Sequence, residues 1–257
     1  MAEISPKELA KFAAAERSVR DVEDGMKLGL GTGSTAAWMV RCLANRVAKE
    51  GLQVVCVPTS ERTATQARAL GLTVTTLDEA GWLDLTIDGA DEFDPDMNLL
   101  KGGGGAHLRE KIVAAASDRL LVITDPSKKV AQLGAYPLPI EVIPFGIETT
   151  VAQIALTLED AGLAGRALNL RMSGVEPFRT DQNNYVIDAA LEAIPDPAAL
   201  SLALNQIPGV VETGLFLGLC NAVVIGHADG QAETLFRSGD APEFSEADPA
   251  MAMALPG

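Results

Sequence analysis

Apolar positions along the first half of the chain follow two repeats that alternate with each other. Residues 6–24 carry Pro6 at a first helical position, Gly25 just past the end, and Leu9, Phe12, Ala13 and Val19 on one side, which predicts a helix. MKLGL then reads as a short strand running into a turn from Gly29 to Ser34. Ala36, Met39, Val40, Leu43 and Val47 recur at helical spacing behind it. QVVCVPTS predicts a buried strand, ERTATQARALG a helix ending at Gly71, and TVTTL another strand. WLDLTIDGAD is a strand with acids at its carboxyl end, HLREKIVAAASDRL a helix and LLVITD a strand. Strands alternating with helices through short loops predict an α/β fold with a doubly wound, mostly parallel, Rossmann-like sheet.

The pattern changes after about residue 134. PLPIEVIPF, IETTVAQIALTLEDAG, ALNLRM, NNYVIDAAL, DPAALSLALNQIPG and VVETGLF read as β-α-β-β-α-β, the order of a ferredoxin-like α+β domain. NAVVIGHADGQAETLF supplies two further short strands that return to the first sheet. The expected division is 1–134 and 217–237 for the Rossmann-like domain, 135–216 for the smaller inserted one, and 238–257 for a disordered tail rich in Ala, Pro, Asp, Glu and Met.

Composition narrows the class. The 257 residues are 47% hydrophobic and 21% charged, the balance of a globular enzyme with a real core. No apolar run reaches the ~18–20 residues of a membrane span, and MAEISPKELAKF lacks the basic-then-apolar layout of a secretory signal. Cys42, Cys56 and Cys220 are scattered and odd in number, as reduced core thiols of a cytoplasmic protein are. A net charge of −15 argues against nucleic acid or an anionic membrane as partner. It also means that an anionic substrate must be held by local donors, since the overall field repels it.

The candidate chemistry is concentrated in DGADEFDPDMNLLKGGGGAHLRE. Asp88 and Asp91 follow a strand; Lys101 and four glycines, Gly102, Gly103, Gly104 and Gly105, lead into a helix that carries Glu110. Consecutive glycines bury no side chain and let backbone N–H groups approach a ligand. On a helical wheel Glu110 lies with Val113, Ala114 and Ser117, and helical side chains tilt toward the N-terminus, back at the glycines. A carboxylate among small apolar groups has its pKa raised toward what a general base near neutrality needs. Lys101 reads either as a surface lysine or as a stabiliser of developing negative charge. Glu92, Asp94 and Asp96 read as a solvated acidic loop, and His107 and His227 as incidental.

Gly31-Thr32-Gly33-Ser34-Thr35-Ala36 fits G-x-G-x-x-A, yet the acid expected about 20 residues on is poorly met by Pro58-Thr59-Ser60-Glu61. A phosphate cradle at a helix N-terminus, with Thr32, Ser34 and Thr35 as added donors, is one alternative. A plain capped turn is another. Lys128, in Asp125-Pro126-Ser127-Lys128-Lys129, either supplies positive charge to a phosphate or caps a turn. Asp94-Pro-Asp96-Met-Asn98 begins like a calcium loop, but Leu99 and Gly105 stand where glycine and a carboxylate are required. Magnesium on Asp88 and Asp91 stays open at this point.

GTGSTA, TSERT, DGADE, KGGGGAHLREKI, DPSKKV, LPIEVIP and IPGVVETGLF, in this order and spacing, resemble the A-type ribose-5-phosphate isomerases over roughly residues 6 to 237. The resemblance implies interconversion of ribose 5-phosphate and ribulose 5-phosphate within the pentose phosphate pathway, without metal or nucleotide cofactor, in a homodimer or homotetramer. It implies Glu110 as the base acting through an enediolate, Lys101 as the oxyanion stabiliser, and Asp88 and Asp91 as the acids that bind sugar hydroxyls and assist ring opening. Thr32, Gly33, Ser34 and Thr35, Asp88, Gly89, Ala90 and Asp91, Lys101, Gly102, Gly103 and Gly104, and Lys128 resemble substrate-binding positions. Gly105 stands where the family often has alanine, and His107 where it has a small or polar residue.

Overall fold

A computed structural model describes residues 5–237. The amino half runs α1 (Pro6–Ser18), β1 (Lys27–Leu30), α2 (Ser34–Glu50), β2 (Val55–Pro58), α3 (Glu61–Ala69), β3 (Thr73–Val74), α4 (Leu77–Ala80) and β4 (Leu85–Gly89). It continues through β5 (Glu92–Phe93), β6 (Leu99–Leu100), α5 (His107–Ala115) and β7 (Leu120–Thr124). Next come β8 (Leu138–Val142), α6 (Ile147–Asp160), β9 (Ala167–Leu170), β10 (Met172–Ser173), β11 (Glu176–Pro177), β12 (Tyr185–Ala190) and α7 (Pro197–Leu204). β13 (Val210–Thr213), β14 (Leu215–Phe216), β15 (Ala222–Gly226) and β16 (Ala232–Phe236) complete the order.

The main sheet has seven strands in the order β16-β15-β7-β4-β1-β2-β3. Every neighbouring pair is parallel except β15 with β16. β4, β7 and β15 are buried almost throughout, as parallel strands covered on both faces must be. Leu28, Leu30, Leu85 and Ile87 meet Met39 and Leu43 of α2 and Ala14 of α1 on one face. Leu120 and Val122 are among those meeting Phe93, Ala114 and Phe216 on the other. Each such large side chain contributes roughly 1.5–3 kcal/mol by leaving water.

From β1 the chain winds one way to β2 and β3, while β4 lies on its other side. The crevice between β1 and β4 is therefore the switch point of the sheet, where ligands of open α/β sheets bind. Gly31 is required there. A β-carbon on it would lie 2.0 Å from Asp88 Oδ1 and 2.5 Å from the Asp88 α-carbon.

Residues 138–213 fold into a four-stranded antiparallel sheet, β13-β8-β12-β9, with α6 and α7 contributing Ile154, Leu158, Leu200 and Leu204 to its core. The connection order is the β-α-β-β-α-β expected of this stretch.

Three stretches differ from their sequence-based reading. TVTTL keeps only two strand residues, because Thr76 and Glu79 close a capping box and start α4. VVETGLF is two strands in different sheets. β13 joins the antiparallel sheet, whereas β14 pairs with β6, which pairs with β5. Glu92 and Asp94 are not solvated either. Glu92 is buried and accepts from the N–H groups of Gly134 (2.7 Å) and Tyr136 (2.5 Å). Asp94 is buried and accepts from Asp96 N, Asn98 N and Asn98 Nδ2; only Asp96 of the three is exposed. Buried backbone donors need acceptors, and these two acids supply them. The expected tail, 238–257, lies outside the described residues.

Gly214 marks the crossing from β13 to β14. Its N–H donates to Pro139 O, its carbonyl accepts from Lys101 N, and a β-carbon there would come 2.2 Å from the Lys101 carbonyl oxygen. Gly214→Ala should therefore lower stability by about 1–3 kcal/mol through overpacking. Urea unfolding would show this, and a wild-type midpoint would contradict the contact.

Candidate active site

Three ionisable side chains are buried together at the switch point. Lys101 Nζ lies 3.1 Å from Asp88 Oδ2 and 3.2 Å from Glu110 Oε2, and it donates to the Gly89 carbonyl. All three are under 4% exposed. They come from separate supports. Asp88 is the penultimate residue of β4, Lys101 follows β6 where that strand is pinned to β14, and Glu110 sits on the buried face of α5 with His107, Val113 and Ala114.

The two carboxylates are not equivalent. Asp88 Oδ1 accepts from the N–H groups of Thr32 (3.0 Å) and Gly89 (2.7 Å). The lysine-facing oxygens, Asp88 Oδ2 and Glu110 Oε2, both lack a hydrogen bond, and among the described residues no backbone N–H supports Glu110 as two support Asp88. Burial raises the pKa of both, while Lys101 opposes the rise. In Glu110 the negative charge of Asp88 adds to burial, and the pKa is pushed up to about 8. For Lys101 burial alone acts downward, but Asp88 and then Glu110 outweigh it, so its pKa moves up and it stays charged. One cation thus serves two acids, and Glu110 holds its proton to near neutrality.

A cleft opens over this group. Asp91, half-buried at its rim, accepts from Gly103 N–H at 2.7 Å. Gly33 begins α2 at φ +135°, without a side-chain cap, so the first N–H groups of a 17-residue helix face the cleft. Lys128, from the turn after β7, stands beside it. Among the described residues, no three His, Cys, Asp or Glu side chains are placed to hold a metal ion, and no helix is long and apolar enough to cross a membrane.

Residues 55–230 match the family described as ribose 5-phosphate isomerase A (phosphoriboisomerase A). A ribose-5-phosphate isomerase A from Cereibacter sphaeroides is 62% identical over 245 residues, which cover 95% of this chain and 94% of that one. The chain belongs to the ribose 5-phosphate isomerase A family. Among solved structures, ribose 5-phosphate isomerase from Plasmodium falciparum superposes with a TM-score of 0.84 at 37% identity, over 90% of this chain and 98% of that one. A D-ribose-5-phosphate isomerase in complex with phospho-erythronic acid gives 0.81 at 34% identity, over 88% and 97%.

The residues expected from the sequence converge in this isomerase fold, with two differences of detail. Thr32, Gly33, Ser34 and Thr35 line one wall, Gly89, Ala90 and Asp91 another, and Lys101, Gly102, Gly103 and Gly104 a third, with Glu110 and Lys128. Asp88 does not line the cleft; it lies beneath, tying Thr32 and Gly89 to Lys101. The Thr32 hydroxyl is held in a knot with Thr59 (2.7 Å), Ser60 (2.8 Å) and Thr63 (3.3 Å), so these three TSERT hydroxyls fix the turn.

Lys7 and Lys11 of α1 also line the cleft, and sequence reasoning missed both. Nothing in their spacing marks them, since they are far in sequence from the acids. His107 is buried against Gly102. Burial, then the charges of Lys111 and Arg171, push its pKa down to about 3, so its 3.8 Å approach to Glu141 joins a neutral imidazole to a carboxyl and is not an ion pair.

A carboxyl whose folded pKa exceeds its unfolded value supports the fold fully below the unfolded pKa and loses that support as pH rises to the folded one. For Glu110 the window runs from the ordinary glutamate value of 4.5 to about 8. Glu110→Gln should therefore unfold at higher urea than wild type at pH 9, with the gap closing toward pH 5. A gap independent of pH would contradict the raised pKa.

Proposed function

We propose that Glu110 is the base that shuttles a proton between C1 and C2 in the family's interconversion of D-ribose 5-phosphate and D-ribulose 5-phosphate. The observation that carries this reading is a buried carboxyl with its pKa near 8, 3.2 Å from a charged lysine, in the wall of a cleft. Glu110 takes the C2 proton of the open-chain aldose, and negative charge develops on O1. Lys101 stabilises that charge in a water-poor site, where a fixed cation is worth far more than in bulk water. Return of the proton to C1, with transfer of the O2 hydroxyl proton to O1, completes an isomerisation that neither gains nor loses electrons.

Asp91 and Asp88 are the acids we assign to the sugar hydroxyls and ring opening, Asp91 from the rim and Asp88 from below through Lys101, Gly89 and Ala90. The distant phosphate is assigned to the α2 N-terminus at Gly33, Ser34 and Thr35, with the Thr32 backbone. Lys128, Lys7 and Lys11 surround it. Four lysines at one cleft meet the need for local donors in a chain of net charge −15. The complex of the 34%-identical structure with phospho-erythronic acid, a phosphorylated polyhydroxy acid, supports a ligand of that class here. Anchoring a remote phosphate holds the reacting end in register and lowers the barrier through orientation.

The same reading treats residues 1–134 and 217–237 as the catalytic unit and 135–216 as a unit that braces it. Exposed Phe145, Leu156 and Leu202 on the smaller unit support a homodimer or homotetramer. Three free cysteines support a cytoplasmic location.

Glu110→Gln should keep the fold and substrate affinity while losing about 10²–10⁴ in turnover, the range typical of a positioned base. Coupled assays would read this, and near-normal turnover would sink the assignment. The base works deprotonated, so wild-type kcat/KM should rise with pH through about 8. Excess EDTA should leave conversion intact, whereas loss restored by magnesium would return Asp88 and Asp91 to a metal role.

A further inference from the structure

The glycine loop that contributes N–H groups to the cleft is gripped from behind by the smaller antiparallel unit. Arg171, between β9 and β10, donates through Nη1 to Gly102 O at 2.8 Å and Gly103 O at 3.3 Å. Its other guanidinium nitrogens are fixed on Asp188 of β12, with Nε to Oδ2 at 2.9 Å and Nη2 to Oδ1 at 2.5 Å. The Phe178 ring lies under the guanidinium, 5.7 Å from its carbon to the ring centroid. The same ring fills the space that a β-carbon on Gly105 would need, 2.4 Å away, and Gly105 holds φ at +73°. Alanine at this position would therefore collide with Phe178 and carry backbone strain.

The described peptides here are all trans, so the carbonyl of one residue and the N–H of the next point in opposite directions. Holding the carbonyls of Gly102 and Gly103 toward Arg171 turns the N–H groups of Gly103 and Gly104 toward the cleft. The Gly103 N–H is the one that orients Asp91. The Gly104 N–H has no acceptor within the described residues and points away from Arg171, where Gly104 lines the cleft. A cation bonded to the carbonyl end polarises the peptide and makes the N–H a stronger donor.

We propose that Arg171, locked by Asp188 and Phe178, is a positioning residue for the isomerisation: it presets the Gly103 and Gly104 peptides, and through Gly103 the Asp91 carboxylate, for the sugar end of the substrate. Arg171 itself stays behind the loop and does not touch the substrate. The proposal rests on the assignment of the glycine loop and Asp91 to the sugar, and of the α2 N-terminus to the phosphate. A clamp acting only on the sugar end therefore predicts a split between the two.

Steady-state kinetics of Arg171→Ala should show kcat lower by about ten- to hundredfold, as expected of a slightly misplaced reacting group. Inhibition by phospho-erythronate should weaken to a similar degree, while inhibition by inorganic phosphate stays at its wild-type value. Added guanidinium should restore part of kcat, which a general loss of structure would not allow. Wild-type kcat and phospho-erythronate affinity, or equal loss of phosphate and phospho-erythronate binding without rescue, would overturn the proposal.

Should that variant fail to fold, Arg171→Lys keeps the charge but cannot reach both carbonyls and Asp188 together. The same split is expected of it, and wild-type behaviour in both kcat and phospho-erythronate affinity again overturns the clamp. Glu110→Gln, run alongside, separates the two ideas. Unimpaired turnover there breaks the site assignment itself, whereas an inactive Glu110→Gln with a normal Arg171→Lys removes the clamp alone.

Discussion

A single buried ammonium shared by two carboxylates sets the conditions for everything around it. Removing three charges from water carries a desolvation penalty of several kcal/mol per ion, and one lysine cannot fully neutralise both Asp88 and Glu110. The imbalance is resolved unevenly because the surrounding backbone is uneven. Asp88 receives two N–H donors from the β1 and β4 turns and is the better-supported anion. Glu110, with no backbone N–H among the described residues to hold it, has its pKa pushed up to about 8 by burial and by the neighbouring Asp88 charge. Two backbone N–H groups thus oppose the rise that burial causes in Asp88, whereas the Asp88 charge reinforces the rise in Glu110.

The geometry that delivers these groups follows from the switch in strand order. β1 and β4 lie side by side, and their carboxyl ends diverge into turns whose glycine and aspartate interlock at Gly31 and Asp88. The hydroxyl knot of Thr32, Thr59, Ser60 and Thr63 ties the β1 and β2 turns together beneath the phosphate-facing wall. The turns that follow the strand ends, together with a packed helix start, therefore carry most of the site.

Much of this was legible in the sequence, because strand ends, glycine turns and wheel positions are local properties. The inward face of Glu110 followed from the spacing of Val113 and Ala114, and the β-α-β-β-α-β order from alternating periods. What escaped depends on contacts between distant segments. The two-residue strands β5, β6 and β14 are too short to show a period, so Glu92 and Asp94 looked solvated although they satisfy buried N–H groups. Lys7 and Lys11 reach the cleft only because α1 packs across β15 and β7. The knot around the Thr32 hydroxyl required knowing that α3 begins beside it.

The seam at Gly214 also bears on how the chain acquires activity as it is made. Lys101 is held by a backbone bond to Gly214 and by a ribbon partner, Leu215–Phe216, that follow it only after the whole smaller unit has been translated. The strand β15, which pairs with β7 in the main sheet, comes later still. A ribosome-bound chain can complete the β1–β4 turns early, yet its lysine has no fixed seat until nearly the last described strand emerges. A chain cut before Gly214 would keep every residue of the acid and glycine motifs and yet lack the frame that orders them.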